Sequence, residues 1–62
     1  MEVDDKEMNR MMWMVKGQLI PDSYSHKDRV SMYNSYFKSV WYNNEASDEG
    51  FEKAWSNKNK DN

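Results

Sequence analysis

The chain has no cysteine, one histidine, one proline, two glycines and a single leucine among its 62 residues. Each scarcity removes a class of protein. Without cysteine there are no disulfides, no thiolate zinc site and no thiol nucleophile, and the cystine-stapled secreted scaffold common at this size is excluded. With only His26, a nucleophile, base and orienting group cannot be assembled around imidazole, and a zinc or iron site lacks ligands. Gly17 and Gly50 stand alone, so no glycine-rich phosphate loop exists. Asp4, Asp5 and Glu7 lack the loop spacing of a calcium hand. Neither a catalytic residue, a metal ligand nor a cofactor-binding residue is therefore expected.

No run of 18 apolar residues is present, so no membrane span is expected. The acidic start Met1-Glu2-Val3-Asp4-Asp5 has none of the basic and apolar regions of a signal peptide. The expected setting is cytoplasmic, or the host cytoplasm if the source is a phage or virus. That origin is suggested by an excess of lysine over arginine and by frequent asparagine, the bias of an A+T-rich coding sequence.

What is present is a globular balance, with 32% charged and 37% apolar residues and a net charge of -2. That charge is too small to attract nucleic acid or anionic lipid strongly over distance. The length allows one domain over 1-62. With Leu19 the only leucine, six methionines, three tryptophans, four tyrosines and two phenylalanines must build the core.

Three helices are expected, at about 4-18, 26-43 and 48-57. Asp4 and Glu7 have the spacing of a capping box, and Met8, Met11, Met12, Val15 and Leu19 then share one face, ended by Gly17 and Pro21. Ser25 starts the second helix, with Val30, Tyr33, Phe37, Val40 and Trp41 as its apolar stripe, His26 near the start of that stripe, and Asn43-Asn44 at its end. Ser47 caps the third, with Asp48 and Glu49 at the positive end of its dipole and Phe51, Ala54 and Trp55 inward. The polar stretch 57-62 is expected to fray. The fold class is therefore all-α, a small three-helix bundle.

Residues off these stripes are the candidate binding surface. Trp13 lies roughly 140° around the first helix from Met8, and Met14 is also off the stripe centre. Met32 and Tyr36 fall opposite Phe37 and Trp41, with Arg29 beside them. Aromatic residues, methionine and arginine are enriched at protein interfaces. The expected function is that of a small non-enzymatic protein that binds a larger protein or nucleoprotein complex and modulates it, such as a phage or viral regulator or inhibitor of a host machine. A homodimer would use the same surface. The competing expectation is a small helix-turn-helix nucleic-acid binder, given the short link from Asn43 to Ser47, although Glu49 and Glu52 would then face phosphates. Acidic mimicry of DNA is a further reading, weakened by the interspersed lysines.

Overall fold

In a computed structural model, residues 3–38, 42–43 and 45–60 are described. They form an all-α three-helix bundle, α1 Asp5–Lys16, α2 His26–Phe37 and α3 Asp48–Lys58. All three begin where a short polar side chain satisfies a free amide of the first turn. Asp4 Oδ1 accepts from the Glu7 N–H at 2.8 Å, Ser25 Oγ from Asp28 at 3.1 Å and Ser47 Oγ from Gly50 at 3.0 Å. At the other end of α1, Gly17 adopts φ 73°, and its N–H returns to the Trp13 carbonyl at 2.8 Å. A left-handed glycine closing a helix in this way is the expected terminator.

Two of the expected boundaries are corrected. The second helix stops at Phe37 rather than at Asn43-Asn44. Residues 39–41 and 44, and with them Val40 and Trp41 of the expected stripe, lie outside the described residues. Asn43 serves another helix, donating its N–H to the Met14 carbonyl at 2.7 Å and so satisfying the open end of α1. The third helix continues through Asn57 to Lys58 instead of fraying from residue 57. Lys58 Nζ lies 5.7 Å from the Trp55 ring centroid within the same helix and 3.7 Å from Asp22 outside it, and both contacts favour the last turn.

α1 is the hub. Both other helices pack on it, whereas no Cα of α2 lies within 8 Å of a Cα of α3 among the described residues. On a wheel of about 100° per residue, Asp5, Met8 and Met12 span about 60° of α1, Lys6, Arg10 and Trp13 span another 60° about 140° away, and Asn9 falls midway between them. The first stripe meets α2, through Arg29 on Asp5 at 3.1 Å and a buried cluster of Met8, Met12, Ile20 and Met32. The second meets α3, through Lys6 on Glu52 at 3.2 Å, Arg10 on Asp48 at 2.8 Å and Trp13 against Phe51.

These contacts fix the directions of the helices. The first turn of α2 sits beside Val3, Asp5 and Met8, and Asn43, beyond its end, reaches Met14, so α2 runs in the same sense as α1. Asp48 lies at Arg10 and Glu52 at Lys6, so α3 runs in the opposite sense. Two successive helices with the same sense need a connection that travels back the full length of the first. Residues 17–25 are that connection, a strap whose Ile20 is buried and whose Asp22 reaches Lys58 at the end of α3. It crosses α1 at Asn9, in the gap between the two helix-bearing stripes.

Asn9 is fully buried, and both ends of its amide are used. Nδ2 donates to the Asp5 carbonyl at 2.9 Å, and Oδ1 accepts from the Ile20 N–H at 2.8 Å. The reverse amide orientation would oppose donor to donor and acceptor to acceptor. Among the described residues no buried side-chain nitrogen or oxygen lacks a partner.

Replacing Asn9 with alanine leaves the Ile20 N–H buried without an acceptor, which costs about 1–3 kcal/mol. Urea unfolding followed by circular dichroism should show that loss, whereas replacing the exposed Asn34 should leave the midpoint in place. Gly17→Ala forces a side chain into the left-handed region and places a Cβ 2.9 Å from Asn43 Nδ2. The same measurement should show a loss of at least about 1–2 kcal/mol.

Candidate functional surface

The residues expected to form a contact surface are drawn instead into the packing around α1. Met32 is a correction, since it is buried in the methionine cluster rather than exposed opposite the core. Tyr36 packs half-buried against the same cluster. The Arg29 side chain is only 15% exposed, with its guanidinium on Asp5 and its Nε donating to the Tyr24 carbonyl at 3.3 Å. Met14 is half-buried, and its carbonyl receives Asn43.

Trp13 is half-buried between α1 and the start of α3. Its indole N–H donates to the Ser47 carbonyl at 2.9 Å, and its ring lies 6.3 Å from the Phe51 centroid at 60°. Gly50 lets this happen, because a Cβ there would meet the indole at 3.1 Å. Phe51, fully buried, also receives the Arg10 guanidinium at 6.0 Å and stacks on Trp55 at 6.1 Å. Trp13 is thus a pin between helices rather than a free anchor.

The inversion on α2 has a clear physical origin. Two stripes compete on that helix, Arg29-Met32-Tyr36 and Val30-Tyr33-Phe37, each with the three-and-four spacing of a helix face. The second is richer in carbon, so periodicity selects it as the inner face. The first wins because arginine can bury its aliphatic stem while its head finds a carboxylate, here Asp5. Phe37 is consequently 65% exposed and Val30 37% exposed, while Tyr33, 6.0 Å from the Phe37 ring, keeps its expected inward contact, half-buried against the methionine cluster.

Beside this face the first turns of α1 and α2 leave an open groove of about 720 Å³. Val3, Met8, Val30 and Tyr33 supply its apolar walls, Lys27 its cation, and His26 lies beside Lys27. Ser31 and Asn34 complete the lining, in which there is no carboxylate among the described residues. The groove is the feature that the sequence reading missed. Its apolar residues come from two helices whose relative sense depends on the strap, so no linear pattern displays it.

Other chemistry has little to work with. His26 is exposed on the first turn of α2, and the neighbouring Ser25 hydroxyl is occupied by capping Asp28. Among the described residues no three histidine, cysteine, aspartate or glutamate side chains gather as a metal site requires, and no helix is long and apolar enough to cross a membrane. Compared with known protein families, curated proteins and solved structures, the chain matches none.

If Trp13 is an interhelical pin, Trp13→Phe keeps the ring against Phe51 and loses only the bond to Ser47. The expected cost is about 0.5–1.5 kcal/mol in thermal or urea unfolding. A variant as stable as the wild type would show that the indole N–H contributes nothing there.

Proposed function

We propose that this chain has no catalytic site of its own and acts by binding a larger protein or nucleoprotein complex through the exposed face of α2, thereby modulating that partner. The observation that carries this reading is the exposure of Val30 and Phe37, on either side of a half-buried Tyr33, beside an open groove. A 65% exposed phenylalanine, whose ring meets only Tyr33 among the aromatic rings of the described residues, leaves most of its apolar area in water, a condition that suits an anchor for a partner's pocket. Support also comes from the polar groups near His26, where the Ser25 hydroxyl is spent on capping.

The nucleic-acid reading draws less from the geometry. α2 ends at Phe37 and α3 begins at Asp48, so the stretch between them is longer than a helix-turn-helix turn, and the two helices do not pack together among the described residues. Two carboxylates, Asp48 and Glu49, open α3, where a recognition helix would approach phosphates. Self-association through the same face is the homodimeric form of the proposal, and sedimentation equilibrium distinguishes it.

The test is affinity capture from the source cell with the full chain, identification of the captured protein, and titration of the purified pair. Phe37→Ser should leave stability within about 0.5 kcal/mol, as for an exposed position. It should weaken the complex by about tenfold or more. An unchanged dissociation constant for Phe37→Ser and for Val30→Ser would refute the α2 face as the docking surface. Submicromolar binding to duplex DNA with a steep salt dependence would transfer support to the nucleic-acid reading.

A further inference from the structure

The groove beside that face also has a polarity, and the polarity restricts what can enter it. The chain carries eleven carboxylates and nine lysine and arginine side chains. None of the carboxylates on described residues lines the groove, whereas His26 and Lys27 both do. Of the other cations, Lys6 is paired with Glu52, Arg10 with Asp48, Arg29 with Asp5 and Lys58 with Asp22, while Lys16, Lys38, Lys53 and Lys60 make no ion pair among the described residues, and Lys27 differs from these four in lining the groove. Among the described residues neither His26 nor Lys27 is ion-paired. Both also occupy the first turn of α2, where the helix dipole adds positive potential.

We infer that the groove receives an acidic amphipathic segment of the partner protein, with an aliphatic side chain against Val3, Val30 and Tyr33 and a carboxylate beside Lys27. This rests on the docking role proposed above for the α2 face and adds the chemistry of the partner. The apolar walls supply contact area, and a volume of about 720 Å³ lies within the range of pockets that enclose a ligand or peptide anchor. The cationic part supplies direction, since a basic segment would meet Lys27 without compensation while an acidic one gains a charge-assisted contact.

A protein segment fits better than an anionic membrane. A bilayer is a broad plane that would also bring its phosphates against Asp4 and Glu7, which are exposed beside Val3 and Met8. A narrow segment can lie on the α2 side and avoid both. Glu7 is the nearer obstacle to an acidic ligand, because the Asp4 carboxylate already accepts the Glu7 amide and Asp5 is held by Arg29. The segment's charged edge is therefore expected over α2 rather than over α1.

The test uses the full chain, labelled with nitrogen-15, and two synthetic helical peptides. They share one apolar spacing of leucines and carry glutamate or lysine on the flanks. The acidic peptide should shift the amide resonances of residues 26–34, with an affinity that falls as salt rises. Lys27→Glu should weaken it by about tenfold, and this variant should fold, because a glutamate in the first turn of α2 is favoured by the helix dipole. If both peptides bind the same residues equally, the polarity inference fails and the docking face survives. If neither perturbs α2, both fail. Stronger response of residues 26–34 to phosphatidylserine vesicles than to the acidic peptide would also overturn the inference, in favour of a membrane surface.

Discussion

The fold depends on one buried amide. Asn9 gives the Ile20 N–H an acceptor in the interior, and without it the strap would lie against α1 with a buried amide unsatisfied. Once the strap lies there, α2 must begin near the start of α1, because the chain has already returned to that end. Arg29 then falls opposite Asp5, and Met32 joins Met8, Met12 and Ile20 in one cluster. The strap also separates α2 from α3, so the third helix has α1 and the strap to pack on, and its last lysine bonds Asp22. A bond between one α1 side chain and the strap eleven positions on thus underlies the placement of the other two helices.

A core of methionines suits this arrangement. Met8, Met11, Met12 and Met32 are all buried, and an unbranched thioether chain adapts to irregular gaps where leucine would demand a definite shape. Two helices of the same sense with an extended strap beside them leave gaps of that kind. The aromatic residues are used at the second contact instead, where Trp13, Phe51 and Trp55 meet with tilted or stacked rings and Arg10 covers one edge. α1 therefore meets α2 through a flexible methionine stripe and α3 through Trp13, set against Phe51, and two ion-paired cations, Lys6 and Arg10.

The helix starts were legible because capping is local: Asp4, Ser25 and Ser47 each act within three residues of themselves. Gly17 was legible for the same reason. The inner face of α3 was readable from Phe51, Ala54 and Trp55, since no rival stripe exists on so short a helix. On α2 two stripes were available, and the choice between them lay in a carboxylate 24 residues away, which periodicity does not see. Asn9 carried a faint signal, as the only uncharged polar residue in α1, whose other polar positions all bear charge. On α2, Met32 and Tyr36 read as outward when the rival stripe is placed inside, whereas Trp13 and Met14 lie off an α1 stripe whose Met8, Met11 and Met12 are indeed buried. The idea of apolar side chains left outside the core survives that exchange, with Val30 and Phe37 in place of Met32 and Trp13.

The joins that hold α3 to the hub span long stretches of chain. Arg10 meets Asp48 across 38 positions, and Trp13 meets Ser47 across 34. A bundle of antiparallel neighbours can zip up from adjacent turns, but here each docking event must close a large loop before any contact rewards it. Such a topology places the chain among slower folders than its helical content implies. A nascent copy holds α1 as an amphipathic segment with both flanks open until most of the remaining chain has been made, so the hub helix is the part most exposed to misassociation during synthesis.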